Sequence, residues 1–248
     1  MLKRNGAAKY YILFLVCALV AVGVGRMALA QSQRGQSKAE PARNESDESY
    51  EEHMAVVEAL RRGGLKAAAK LKGNFVRPFD PHPDWLSFGM EKLTASSEAV
   101  VVGVPVKNVC ELTPDGQLIT TNYDVIVQEV LKGDVQPGST IKVALVGGRV
   151  TFPDGTTAEV VTPSFEKMIN GRTYLLYLSQ YKVRSPMYDL TGGPQGMIDL
   201  PGDGAKVKSH GRDTDPVKNE VKDMDAETFL KEVRRLAKKW PQPGKCCN

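Results

Sequence analysis

The chain has 248 residues, with 33 Lys and Arg against 29 Asp and Glu, 42% apolar residues and four cysteines. That length holds one sizeable domain or two small ones, the cysteines are far too few for a disulfide-built mini-protein, and only one apolar run approaches the ~20 residues of a membrane span. A net charge of +4 is too weak to imply nucleic-acid binding, so no nucleic-acid partner is expected.

The N-terminus accounts for that charge. Lys3, Arg4 and Lys9 precede an apolar stretch from Tyr10 to Gly25, and Ala28-Leu29-Ala30 follows. A positive segment, an apolar segment and then small residues form a secretory signal over residues 1–30, cleaved after Ala30. An uncleaved N-terminal anchor is the alternative. The signal takes four cations and no acid with it, which leaves 29 cations against 29 acids. Export places the chain in the periplasm or outside the cell, where disulfides persist. Cys17 leaves with the signal, and Cys110, Cys246 and Cys247 remain as disulfide candidates. Cys110 bonded to one of the tail pair, a vicinal Cys246–Cys247 bridge of strained geometry and unpaired thiols in a frayed terminus all stay open.

Residues 31–48 are polar and nearly free of large apolar groups. They cannot bury enough surface to offset the entropy of ordering, and a disordered tether is expected. From Ser49 the spacing of Tyr50, Met54, Val57 and Leu60 predicts a helix. Gly63-Gly64 breaks it, and a second short helix runs from Leu65 to Leu71. Pro78, Pro81 and Pro83 make an extended connector to residue 86, docked through Phe75, Phe79 and Trp85.

Residues 87–200 form the expected β domain. Ala99–Val106 is nearly continuous in valine, as a buried strand is. Pro114-Asp115-Gly116 marks a turn, and Ile119–Val130 and Ile141–Leu145 alternate apolar with polar residues. Gly147-Gly148, Pro153-Asp154-Gly155 and Asn170-Gly171 punctuate the rest, before strands over Arg172–Leu178 and Met197–Leu200. Five to seven short strands with regular turns favour a small antiparallel barrel or a sandwich over a parallel α/β sheet. Residues 201–224 are predicted as a loop. Asp225 then caps an amphipathic helix over 225–240, with Phe229, Val233, Leu236 and Trp240 on one stripe and Lys231, Arg234, Arg235, Lys238 and Lys239 around it. Residues 241–248 are a tail.

Several blocks in this order carry a resemblance. They are Ser97-Glu98-Ala99-Val100-Val101-Val102-Gly103, Val127-Gln128-Glu129-Val130-Leu131-Lys132-Gly133-Asp134, Pro137-Gly138, Gly147-Gly148 and Pro163-Ser164-Phe165. Asn170 to Leu178, Gly192 to Gly196 and the helix Phe229 to Arg234 complete the set. About 100 residues plus that helix resemble a group of uncharacterised secreted bacterial proteins, and the resemblance implies a small OB-fold or netrin-like β-barrel. It implies no reaction. A protease inhibitor of the tissue metalloprotease-inhibitor kind would need a cysteine at the mature N-terminus, where this chain has Gln31.

Chemistry is sparse. His53, His82 and His210 are not spaced as metal ligands, and no metal or cofactor is expected. No nucleophile elbow occurs. The Ser-x-x-Lys spacing occurs at Ser139/Lys142, Ser164/Lys167 and Ser179/Lys182, which shows how little it discriminates. Asp213/Asp215 and Asp223/Asp225 lack the glycine that a calcium loop needs. Two features suit binding. The glycine-rich loop Leu190–Met197 offers Gly192, Gly193 and Gln195 beside Tyr181 and Tyr188, unless it is a plain turn. The basic C-terminal helix suits an anionic membrane or envelope surface, unless it packs on the barrel with its charges solvated. The expectation is a secreted or envelope-associated, non-enzymatic binding module for a protein or cell-envelope ligand. The alternative is an envelope enzyme whose site is assembled only by folding. The exported protein is expected to begin at Gln31, which intact-mass measurement checks; retention of residues 1–30 on the exported chain would establish the anchor instead.

Overall fold

A computed structural model describes residues 45–80, 86–163, 165–180, 187–202 and 204–241. The expected signal, the tether up to residue 44, His82, Trp85, Tyr181 and the tail with Cys246 and Cys247 lie outside the described residues. The fold is mainly β, with a seven-stranded and a three-stranded sheet and a few helices.

Its spine is one hairpin. β2 (Ala99–Leu112) and β3 (Ile119–Lys132) pair antiparallel along nearly their whole length. Ala99 and Val101 face one core while Val100 and Val102 face another. Burial on both sides is why this stretch is continuous in valine instead of alternating. The register slips between Pro105 and Lys107, where proline has no N–H to give the ladder.

β4 (Thr140–Val146) lies antiparallel on β3, and β7 (Tyr174–Gln180) lies antiparallel on β2. β8 (Met187–Leu190) pairs on both sides, parallel with β4 and antiparallel with the end of β7. The pairings β2–β3–β4–β8–β7 therefore return to β2. The first half of β7 carries β9 (Met197–Asp199), and β10 (Lys208–Ser209) pairs beyond it. The smaller sheet joins β1 (Asn74–Pro78), parallel to β6 (Thr157–Val161), and β5 (Gly148–Thr151), antiparallel to β6.

Three cores follow from this arrangement. Within the circuit, Val101, Tyr123, Val125, Val143 and Leu176 pack together. On the outside of β2 and β7, Val100, Val102 and Tyr177 meet α2 (Met90–Ser96), α3 (Pro216–Val221) and α4 (Ala226–Lys239) through Leu93, Val217, Phe229 and Val233. The third core packs Leu65 and Ala69 of α1 (Glu45–Lys72) against Ile119, Phe152 and Val160. Each large side chain buried in this way contributes ~1.5–3 kcal/mol before ordering costs.

α1 starts at Glu45, four residues ahead of the expected helix, and breaks at Gly64 (φ 64°, ψ −157°). A Cβ at Gly64 would run into the Gly116 carbonyl, which accepts from Leu65 N at 2.8 Å. Only glycine allows both the left-handed turn and this approach. The segment 201–224, expected as a loop, contains β10 and α3. Both are too short for periodicity to register, and α3 opens on Pro216 with Val217 and Val221 buried four residues apart.

α4 follows its sequence closely. Asp225 accepts from Thr228 N at 2.8 Å, and Phe229, Val233 and Leu236 are buried. Trp240, expected on the same stripe, is 41% exposed, with its indole N–H 3.3 Å from Glu91. Two basic residues of α4 turn to acids of the body, Arg234 binding both Glu129 oxygens at 2.9 and 2.8 Å and Lys239 binding Glu91 at 2.5 Å, while Arg235 pairs with Glu232 of its own helix. Lys132 is buried and donates to the carbonyls of Thr94 and Ala95 at 2.7 and 3.1 Å, closing the C-terminus of α2. Burial holds its pKa below the usual lysine value.

Burial also raises the phenols inside the body. Tyr123 is pushed up to about 12, and Tyr174 and Tyr177 are raised as well. In the unfolded chain these phenols ionise near pH 10. The stability they contribute is whole below pH 10 and is lost as the pH rises through about 12. Melting temperature should fall steeply over that window, together with late phenolate absorbance. Titration of every tyrosine near pH 10 without unfolding would contradict this packing.

Candidate functional site

β4 outlasts β8. Lys142, Val143 and Ala144 pair with Met187, Tyr188 and Asp189, but Leu145 and Val146 have no partner on β8. There β8 leaves the sheet through Thr191 and Gly192 into a short 3-10 turn, Gly193–Gly196. The gap opens as a cavity of about 650 Å³ lined by Thr113, Pro114, Asp115, Leu118, Thr120, Ala144, Leu145, Val146, Phe165, Met187, Asp189, Leu190 and Gly193. Among the described residues its walls are mostly apolar, and the two charged ones, Asp115 and Asp189, are acidic. That volume and composition are those of a ligand site.

One wall is the β2–β3 turn, which is thoroughly braced. Thr113 Oγ1 donates to Asp115 at 2.5 Å and accepts from Leu118 N at 3.0 Å. Asp115 accepts from Gln117 N at 3.0 Å, and Gly116 N donates to the Thr113 carbonyl at 2.8 Å. From outside, Gln117 donates to the Leu60 carbonyl at 2.9 Å, and Arg77 donates to the Gln117 carbonyl at 2.8 Å.

The floor comes from Thr120 of β3 and Ala144, Leu145 and Val146 of β4, with Asn122 and Asp124 further along the outward face of β3. Thr120, Asn122 and Asp124 alternate with the core residues Ile119, Tyr123 and Val125. Asp124 pairs with Lys142 at 2.8 Å, an ion pair that lowers the carboxyl and raises the amine. Asn122 is 91% buried; its Nδ2 donates to Glu111 at 2.8 Å, while its Oδ1 has no partner. The buried Thr120 Oγ1, in the cavity wall, has none either. An orphaned buried acceptor or donor costs ~1–3 kcal/mol.

The expected binding residues fall on both sides of this picture. Gly193 lines the cavity. Tyr188 is half-buried against the core inside the circuit, and burial raises its phenol. Gly192 takes a left-handed conformation (φ 71°) where a Cβ would press on the Gln195 amide. Gln195 is buried and serves the fold: its Nε2 donates to the carbonyls of Leu86 and Gly192 at 2.5 and 2.8 Å, and its Oε1 accepts from Phe88 N at 2.7 Å. Cys110 is a free thiol, half-buried and 3.4 Å from Thr121 Oγ1. Sequence reasoning missed Thr120, Ala144, Phe165, Met187 and Asp189. Thr120 and Ala144 looked like the solvent side of alternating strands, and only the small residue at 144 hinted at a recess.

The reactive groups are distributed elsewhere. His210 is buried with Nε2 2.7 Å from Asp199 and Nδ1 3.4 Å from Glu166. Lys208 holds both Glu166 oxygens at 2.8 Å and lowers that carboxyl. None of these four lines the cavity. Ser139 donates to the Gln136 carbonyl at 2.6 Å and Lys142 serves Asp124, so this Ser-x-x-Lys pair does not act together. Asp213, Asp215 and Asp223 pair with Lys218, Arg212 and Lys206. Among the described residues no group of three or more His, Cys, Asp or Glu is placed to hold a metal ion, and no helix is long and apolar enough to cross a membrane.

Compared with protein-family models and with curated proteins, the chain matches none.

The orphaned Thr120 hydroxyl yields a direct prediction. Thr120→Val keeps the shape and removes the unpaired group, so it should stabilise the fold by about 1 kcal/mol in urea denaturation. A loss of stability would mean that the hydroxyl is already satisfied.

Proposed function

We propose that the protein is an exported, non-enzymatic binding module whose β2–β3–β4–β8–β7 circuit is a small closed barrel of the OB-like kind. The cavity at the end of β4 carries this reading. It combines apolar walls, a braced turn and an unpaired hydroxyl, the composition of a recognition site. It also sits on the second and third strands beside the loop joining the first two, where OB-folds take ligands; that support is analogy from fold. Export rests on the N-terminal pattern of charges and apolar residues.

The ligand chemistry follows from the walls. Pro114, Leu118, Val146, Phe165 and Met187 favour an apolar group, and Asp115 and Asp189 favour a positive flank. A protein or envelope ligand presenting an extended apolar segment with a basic neighbour meets both demands. The enzyme alternative has the His210–Asp199 pair in its favour, but that pair does not line the cavity.

The test is an immobilised array of short extended peptides, apolar at the centre and carrying either lysine or glutamate at the ends. The mature chain should hold the lysine set. Ala144→Trp, which fills the recess, should weaken binding at least about tenfold. Equal retention of both sets, or binding untouched by Ala144→Trp, would sink the site. Turnover of chromogenic esters, phosphoesters or glycosides that is lost in His210→Gln would favour the enzyme.

A further inference from the structure

His210 is a buried titratable group that neither the cavity nor the cores explain. It follows β10, where its N–H donates to the Met197 carbonyl at 3.3 Å, and only 3% of its side chain is exposed. A carboxylate stands at each ring nitrogen. Nε2 lies 2.7 Å from Asp199 of β9, and Nδ1 lies 3.4 Å from Glu166. A carboxylate only accepts, so the neutral ring, with one N–H, serves just one of them. Asp199 has the shorter contact, and Nδ1 is left buried without a hydrogen bond. Its lone pair then faces the Glu166 carboxylate. The charged ring carries a proton on each nitrogen and serves both acids.

The two acids belong to different parts of the molecule. Asp199 is fixed in the sheet opposite Tyr174 and Lys208, with Arg172 3.8 Å from its other oxygen. Glu166 belongs to the irregular segment 165–169 between β6 and β7. One end of that segment is pinned: Met168 is buried, and Ile169 N donates to the Tyr174 phenol oxygen at 2.9 Å. At the other end Phe165 lines the cavity, its N–H on the Thr162 carbonyl at 3.0 Å. Glu166 is the next residue, and its side chain ties this part of the wall to β9 and β10. Lys208 holds it from the open side, an exposed pair of a kind that contributes little. The buried half of the tie is left to His210.

We propose that His210 is a pH-dependent latch on the cavity wall. The charged ring clasps Glu166 and steadies Phe165; the neutral ring releases Glu166 and loosens that wall. Its use, control of ligand capture, rests on the reading of the cavity as the binding site. Among the described residues the ring is faced by Asp199 from β9, Glu166 from the segment and Tyr174 from β7, whose ring centre is 6.5 Å away. Arg172 and Lys208 stand behind Asp199 and Glu166. The Lys208 ammonium, helped by the His210 charge, holds Glu166 below the usual carboxylate range, and burial keeps the Tyr174 phenol above its own. Glu166 is thus ionised and Tyr174 neutral between about pH 5 and 8, the window in which an imidazole changes charge.

NMR of the free mature chain tests the latch without a ligand. Over that window the Phe165 signals should shift with the same midpoint as the His210 ring signals. Glu166→Gln, at an exposed position, keeps the fold and should abolish the shift, because an amide both donates and accepts and so suits either state of the ring. Lys208→Gln should retain it. Phe165 signals that ignore the His210 midpoint, or that follow it unchanged in Glu166→Gln, would overturn the proposal. The lysine-ended peptides should bind at least about threefold tighter at about pH 5.5 than at about pH 8, a difference that Glu166→Gln removes. Peptides that bind equally at both would overturn the control of capture. Failure of every peptide to bind, with the coupled NMR shifts intact, would overturn the cavity reading and leave the latch standing.

Discussion

Everything in this molecule is hung on the β2–β3 hairpin. Its open end lies between the two larger cores, with Val100 and Val102 against the helices and Ala99 and Val101 inside the circuit. Its turn end supplies Cys110, Leu112, Leu118 and Ile119 to the third core. One pair of strands therefore carries three packing environments, and the register slips along it let a continuous ladder serve all three. Helices α2, α3 and α4 pack on Val100 and Val102 of β2, and the end of α1 beyond its kink packs on Ile119 of β3.

The turn of that hairpin couples two features that lie far apart in sequence. Gly116 accepts the first amide beyond the α1 kink, and Gln117 donates to Leu60 just before it. The same turn forms a wall of the cavity. Helix α1 thereby reinforces the site.

Much of the fold was legible in the sequence, and the reasons are local. The valine run of β2, the alternation in β3 and β4, the Pro114-Asp115-Gly116 turn and the capped stripe of α4 each follow from periodicity or turn chemistry. The small sheet was not legible. β1 pairs with β6 across some eighty residues of chain as a short, half-exposed edge strand, and its partner choice is a tertiary event. The cavity was hidden for a related reason. It arises because β4 is longer than β8, a difference in strand length between residues about forty positions apart, and no local pattern encodes that. Gln195 shows the converse: a glycine-rich loop suits binding by composition, but here its amide is spent tying residues 86–88 to the body.

The unpaired Thr120 hydroxyl bears most directly on what the cavity is for. Native proteins leave few buried polar atoms unsatisfied, and two of the four orphaned atoms among the described residues, Thr120 Oγ1 and Asn122 Oδ1, lie on one outward strand face. Both sit on β3, which is otherwise well satisfied and rigidly paired on either side. A valine at 120 would fit the strand's own preferences better. Keeping a hydroxyl there costs stability, and the proposed binding role gives that cost a reason: the group is left open in the free protein so that a ligand can close it.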